Sequence, residues 1–321
     1  MKNSSRESLL CEVANLYYNK GLTQAEIAKA MYISRSSISR LLQEARDCGL
    51  VEIRIAPQSE RCYYLEGLLC KHFGIKEAYI YDYSSAEASQ VFNSLCSNAA
   101  NYLSTHMDNC SVFGVSRGSV VDRIFDNLKP QSMARPELKL VQMHGCESSS
   151  VFSHSSESLM RRMLNIYGGT AYYLNAPMYV KSEALKEQLE SEPSISPTLD
   201  LIEKVDMAIT GIGSLSGNWH ETSFLSQYID ERTISELIAN GCVGHIFGQF
   251  FDINGSPVDH DINRRRIGIN FDCIPRIPRV ISVVYGADRA QAVLGAMRGH
   301  LTNIVFMDKL CAERILELNY E

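Results

Sequence analysis

The sequence predicts an α/β protein in two parts, an N-terminal winged helix-turn-helix followed by a doubly wound, mostly parallel sheet. Three observations carry this reading. Residues 22–50 hold two capped helix starts on either side of a short break. From about residue 77 onward, short apolar runs alternate with helical segments. Several of those runs end in glycine-bearing polar loops that lead straight into a helix. The boundaries that follow are 1–56 for the head, 57–74 for a linker and connecting helix, and 75–321 for the sheet domain.

Within the head, residues 1–6 lead into an amphipathic helix. Thr23 stands where an N-cap is needed and Glu26 follows three residues later, the spacing of a capping box. Ile27, Ala28 and Met31 give that helix an apolar face. Ser34 caps the next helix, which keeps Ile38, Leu41, Leu42 and Ala45 inward and stops at Gly49. Two short helices across a tight turn are the frame that sets a second helix into the major groove. Arg35, Ser36, Ser37, Ser39 and Arg40 lie on the exposed start of that helix and can bond base edges or phosphates, with Thr23 and Ser34 near the backbone. An ordinary helical hairpin is the plainer alternative. Residues 50–55 alternate apolar and polar side chains as the strand of a wing would, and residues 56–59 read as a linker. Leu65, Leu68, Leu69 and Phe73 then form one helical stripe ending at Gly74, suited to docking on the second domain or on a sister subunit.

The sheet domain follows from its rhythm. Strands are predicted at 78–81, 111–115, 138–143, 207–212, 281–284 and 303–306, and helices at 87–105, 119–128, 154–167, 182–190, 231–239, 287–297 and 309–318. Near-continuous apolar strands alternating with helices imply a sheet covered on both faces, with ligands at the carboxyl ends of its strands.

The candidate ligand loops are those that follow strands. Gly114 to Ser119 combines two glycines, the hydroxyls of Ser116 and Ser119, and the fixed charge of Arg117 at a helix start, which suits a phosphate. A plain tight turn with the same glycines, Gly114 and Gly118, is the bland reading. His144-Gly145-Cys146 and Gly211-Ile212-Gly213 end strands in the same way, and His245, Asp252, Asp288, Arg289 and Asp308 add polar groups that could converge on one pocket. No nucleophile elbow, Walker loop, dinucleotide fingerprint or zinc pair is present, so neither catalytic residues nor a cofactor or metal are assigned.

Composition sets the limits. Hydrophobic residues make up 45% and charged residues 21% of the 321, as in an ordinary globular protein. No run reaches the roughly 20 apolar residues of a membrane span and no signal peptide opens the chain, so a cytoplasmic protein without membrane association is expected. The ten cysteines have no metal spacing and are expected to be reduced and mostly buried, with Cys146 the one to watch. Eight of the 31 basic and six of the 37 acidic residues fall in residues 1–55, leaving 23 and 31 for the rest. A slightly basic head on an acidic body fits a protein that meets DNA through its head alone.

Taken together, the residues resemble the SorC-type sugar-binding transcriptional regulators. The head segment ISRSSISRLLQEARDCGLVEIRI is similar to the family's helix-turn-helix and wing, and FGVSRGSVV to its strand-loop-helix block. YGGTAYYLNAPMYV, DMAITGIGSL, GCVGHIFGQFFDINGSPV, INRRRIGI and the stretch from YGADR to the last helix match further family blocks in the same order. The resemblance implies a domain with the fold of sugar-phosphate isomerases and deaminases, a phosphorylated sugar as effector, and a homodimer or homotetramer on operator DNA. It places the phosphate on Gly114 to Ser119, with Arg117 and Arg289 supplying charge and Gly145, Gly213, His144 and Asp252 facing sugar hydroxyls. Arg117, Ser119 and Val120 stand where the family loop has Trp, Arg and Thr, His245 where it has an acidic residue, and Arg289 where it has a lysine. His144 stands where one member carries an imine-forming lysine, so no covalent capture is expected. Two other functions remain open at this stage: a sugar-phosphate isomerase or deaminase with an accessory head, drawing a base from Asp252, Asp308 or His144, and a regulator whose pocket no longer binds ligand.

Overall fold

The computed structural model describes residues 2–51, 59–83, 87–129, 134–146, 156–215 and 229–320. The chain divides into two compact units, residues 1–56 and 57–321. In the first, α1 (Lys2–Ala14) runs through a π-helical turn, Asn15–Asn19, before α2 (Gln24–Ala30) and α3 (Arg35–Asp47). The capping box forms as the spacing predicts: Thr23 Oγ1 accepts from the Glu26 N–H, and Glu26 accepts from the Thr23 N–H at 2.8 Å. Leu10, Val13, Ile27, Ile38, Leu41, Leu42 and Ala45 meet in one small core. Gly49, at φ +78°, turns the chain out of α3. The wing expectation falls on residues 50–55, of which 52–55 lie outside the described residues, and Leu50 and Val51 form no strand.

The second unit opens with β1 (Glu60–Arg61) and α4 (Tyr63–Phe73), which ends at Gly74 in the left-handed conformation. The stripe on α4 docks on this same unit, where Leu69 and Phe73 join its core, so α4 belongs to the sheet domain rather than to a connector. The remaining strands are β2 (Glu77–Asp82), β3 (Val112–Val115), β4 (Lys139–Gln142), β5 (Thr170–Tyr172), β6 (Met207–Thr210), β7 (Gly213–Ser214), β8 (Cys242–Ile246), β9 (Gln249–Asp252), β10 (Arg279–Val284) and β11 (Ile304–Asp308). Eight form one sheet in the order β1-β2-β11-β10-β6-β3-β4-β5, parallel throughout except where β1 runs antiparallel to β2. A second sheet, β7-β8-β9, is antiparallel.

Helices cover both faces of the large sheet. On one face α5 (Ala88–His106), α6 (Ser119–Asp126) and α7 (Ser156–Tyr167) bury Leu95, Ile124 and Met160 against Phe113, Ile209 and Phe306. On the other, α4, α9 (Ser196–Ile202), α12 (Ala290–Arg298) and α13 (Lys309–Tyr320) bury Leu69, Ile202, Leu294 and Ile315 against Ile80, Ala208 and Val305. Helices α8 (Glu183–Glu190), α10 (Glu231–Ala239) and α11 (Asp261–Arg264) complete the described set. The sequence missed β1, β5, β7, β8, β9, α9 and α11, all short elements whose period is not resolved over so few residues. None of the ten cysteines is in a disulfide; Cys96, Cys110, Cys242 and Cys311 are buried as expected, whereas Cys11, Cys48 and Cys146 are exposed.

The head core makes a direct prediction. Ile38 has no exposed surface. Truncating it to alanine should cost about 2–4 kcal/mol, a large share of what so small a unit has. Calorimetry of Ile38→Ala should show the head melting earlier while residues 57–321 unfold at the wild-type temperature.

Candidate ligand site and DNA-facing helix

Strand order places the ligand site. After β5 the chain returns to the other side of β3, so the order reverses between β3 and β6, and the loops leaving their carboxyl ends diverge. Four loops meet this edge: 116–118 after β3, 143–146 after β4, 211–212 after β6 and 285–289 after β10.

The β3 loop is fixed by its neighbours. Ser116 N–H donates to the Ile209 carbonyl of β6 at 3.2 Å, and Arg117 N–H donates to His144 Nε2 at 3.2 Å. Gly118 then takes φ +135°, open to glycine and costly for other residues, and begins α6 with no side-chain cap. The first intrahelical bond runs from Asp122 N–H to the Gly118 carbonyl, so the N–H groups of Ser119, Val120 and Val121 precede the ladder. This helix start has no side-chain cap and lies at the switch point next to Arg117 in the chain, a position whose free N–H groups and dipole favour negative charge. Gly114 is not part of it. That residue is an interior strand position paired with Val141 and Ala208, and a Cβ there would lie 2.4 Å from Met143 Sδ, so its small size serves the core.

His144 is wholly buried. With Nε2 accepting from Arg117, its Nδ1–H donates to the Gly145 carbonyl at 3.1 Å. Burial holds its pKa down at about 3, and the charges of Arg266 and Arg117 push the same way. Expected to face sugar hydroxyls, His144 instead ties the β4 loop to the β3 loop from beneath. Gly145 does comparable work: a Cβ there would sit 2.5 Å from the Pro177 carbonyl, and its N–H bonds Ile267. The sequence did not single out Arg266, whose guanidinium donates to the Phe247, Ile269 and Met143 carbonyls at 2.8, 2.6 and 3.3 Å. Burial lowers its pKa to about 10. Ile269 is three residues away, but Phe247 and Met143 are 19 and 123 residues distant, and no local signal marks them.

The remaining candidates separate. Gly213 faces His245 across β7 and β8, and a Cβ there would overlap the imidazole, so this glycine makes room for the chain's own ring rather than for a sugar. His245 is buried, held neutral by that burial at a pKa of about 4, and rests on Phe250. Asp252 is not brought to the edge. Its Oδ1 accepts from the N–H groups of Asn254 and Ser256 at 2.9 Å in the turn after β9, and its carbonyl lies against Gly295, in the second turn of α12. Asp308 Oδ1 accepts from Gly286 N–H at 2.7 Å and so sets the β10 loop. Arg289 in that loop lies over the Tyr285 ring, 5.2 Å from its centroid.

On α3, Ser34 Oγ accepts from Ser37 N–H at 3.1 Å and lies 2.8 Å from the hydroxyls of Ser36 and Ser37. That cluster is occupied with capping, as Thr23 is with its box. Arg35, Ser39 and Arg40 are exposed, and neither arginine has a carboxylate partner among the described residues. By contrast Arg46 is held by the Tyr18 hydroxyl and Arg6 by Glu44.

A helix-turn-helix head followed by a doubly wound domain is the build of a transcriptional regulator. The family model for a sugar-binding domain matches residues 58–317 and a MarR family model matches residues 13–61. The chain belongs to the sugar-binding-domain family. It is 25% identical to the deoxyribonucleoside regulator of Bacillus subtilis over 97% of this chain and 98% of that one. Against the sorbitol operon regulator of Klebsiella pneumoniae it is 25% identical, over 99% and 100%. The crystal structure of the full-length Klebsiella pneumoniae regulator superposes with a TM-score of 0.71 at 24% identity, over 96% of this chain and 98% of that one. A DeoR family regulator from Listeria monocytogenes gives 0.70 at 25% identity, over 79% and 98%. These relatives are transcriptional regulators and not enzymes. His144, Asp252 and Asp308, the bases an enzyme reading would draw on, each accept backbone N–H groups that hold a loop. No helix of the described residues is long and apolar enough to cross a membrane.

The two buried histidines give stability a pH dependence of known sign. Each folded-state pKa lies below the ordinary 6.5, so at intermediate pH the unfolded chain binds protons that the folded chain refuses. Stability is then full above about pH 6.5 and falls as pH drops through the range between that value and the folded pKa, by up to about 1.4 kcal/mol per pH unit for each histidine. Denaturant unfolding across that range should show the slope, and His144→Gln should reduce it by one histidine's share. A wild-type profile flat from neutral pH downward would contradict the burial.

Proposed function

We propose that the chain regulates genes of carbohydrate metabolism, with a phosphorylated sugar bound to the sheet domain controlling operator binding by the head of a homodimer or homotetramer. The observation that carries the proposal is the start of α6. Gly118 to Val121 present N–H groups at the switch point with no side-chain cap, next to Arg117 in the chain, and Arg289 stands in the β10 loop on the same edge of the sheet. A phosphate fills that role with three acceptor oxygens and a negative charge, whereas the hydroxyls of an uncharged sugar can accept these bonds but bring no charge to meet the helix dipole. His144, neutral and tied to backbone, supplies no amine, so binding is non-covalent.

Coupling to DNA is reciprocal: whatever factor the sugar imposes on operator affinity, DNA imposes on sugar affinity. One helix-turn-helix reads a half-site, and paired half-sites about one helical turn apart call for at least two heads.

Two measurements test the proposal. A thermal-shift screen of phosphorylated sugars on the full chain should find a stabilising ligand, which at about 100 times its Kd adds nearly 3 kcal/mol. Arg289→Ala should weaken that ligand by about 1.5–3 kcal/mol while leaving ligand-free DNA binding unchanged. If no phosphorylated sugar stabilises the protein, the pocket does not serve this ligand. Separately, Arg35→Ala and Arg40→Ala should each cost about 1–3 kcal/mol of DNA affinity in gel shifts, with melting temperature unaltered. Wild-type affinity in both variants would refute the groove assignment.

A further inference from the structure

The phosphate cradle accounts for one end of a ligand. Beside it lies a second set of side chains that neither the sequence analysis nor the family match assigned. Phe92, in the first turns of α5, meets Tyr285 just past the end of β10 with ring centroids 5.2 Å apart, and Arg289 lies over the Tyr285 ring. Val120, in the first turn of α6, approaches within 3.5 Å of where a Cβ on Gly211 would be. Phe92, Val120 and Tyr285 are all half-buried on the same apolar cluster, so each keeps some surface open.

Asn93 belongs to the same place. Helices α5 and α6 both start at the carboxyl edge of parallel strands and pack side by side. Cys96 of α5 lies within electrostatic reach of Arg123 of α6. Asn93 lies one turn before Cys96 on α5, as Val120 lies one turn before Arg123 on α6, which puts both in the first turns of neighbouring helices. Asn93 Oδ1 is shut off from solvent and has no hydrogen-bond partner among the described residues. A buried amide oxygen left unsatisfied is costly and uncommon. Asn93 follows Phe92 in the first turns of α5, the helix that packs beside α6.

We propose that Phe92, Val120 and Tyr285 form a wall for the apolar face of a cyclic sugar phosphate, and that Asn93 Oδ1 accepts a hydrogen bond from one of its hydroxyls. The inference rests on the phosphate assignment above and adds what reads the sugar. Spacing supports it. The loops after β3 and β10 are separated by two strand intervals, with β6 between them, about 10 Å in all. A ring carrying one phosphate fills that span and inorganic phosphate does not. Aromatic rings take the C–H face of a sugar, and a single buried acceptor selects for a hydroxyl at one ring position.

The test uses the full chain and a panel of pentose and hexose monophosphates, with inorganic phosphate alone as the reference probe, read by calorimetry and melting temperature. Asn93→Leu should lower affinity for the tightest sugar phosphate of the panel about tenfold, leave inorganic phosphate binding unchanged, and leave the ligand-free melting temperature unchanged or raised. Tyr285→Ala should show the same split, and Tyr285→Phe should restore binding. Arg289→Ala should weaken sugar phosphate and inorganic phosphate together. Wild-type sugar affinity in Asn93→Leu, or equal losses for both probes, would overturn the proposal. A wild-type protein that binds inorganic phosphate in an Arg289-dependent way but no sugar phosphate also overturns it, while leaving the phosphate assignment standing. Binding of neither probe removes both.

Discussion

The structure depends on the return of the chain across its own sheet between β5 and β6. Every strand from β2 to β11 in the large sheet is parallel, so each ladder is buried on both faces and the carboxyl edge is where polar loops gather. Reversal of strand order at β3 and β6 parts two of those loops and leaves a crevice between them. The first turn of α6 opens into it. The proposed phosphate position therefore rests on topology first, and the side chains around it bear on what else could enter.

Holding the crevice open requires buried polar groups, and the protein uses them in an unusual way. His144 and Arg266 lie beneath the loops with backbone atoms as their principal partners: Arg117 and Gly145 for the histidine, and Met143, Phe247 and Ile269 for the arginine. Burial disfavours the charged form of each. The bonds tie β4, the β8–β9 turn and the 266–269 segment into one support under the site, and the cost is a protein that loses stability in acid. Asp308 does for the β10 loop what His144 does for the β3 loop, fixing one backbone N–H.

Local chemistry was legible in the sequence and long-range partnership was not. Thr23, Ser34, Gly49 and Gly74 mark helix ends through bonds and dihedrals within a few residues of themselves, and the structure has each in that role. The apolar strands and the polar loops after them were readable for the same reason. His144, Gly145 and Gly213 were read as surfaces for a ligand because glycine and histidine after a strand suit one. Their actual neighbours are Arg117, Pro177 and His245, between 27 and 32 residues away, which no local pattern indicates. Arg266 reaches Met143 across 123 residues. The β7–β9 sheet escaped because its strands are short, and because Gly244 interrupts the alternation of polar and apolar positions along β8. Asn93 gave no sign, being one asparagine in an amphipathic helix until its oxygen proved to be buried.

Amide hydrogen exchange on the full chain, with and without a saturating sugar phosphate, tests the phosphate cradle most directly. The N–H groups of Gly118, Ser119, Val120 and Val121 stand ahead of the helical ladder and should exchange quickly in the free protein. Binding should slow these four amides selectively, because a phosphate at the start of α6 takes them as donors. A bound ligand that protects other loops and leaves residues 118–121 exchanging at their free rate would place the phosphate elsewhere and contradict the account.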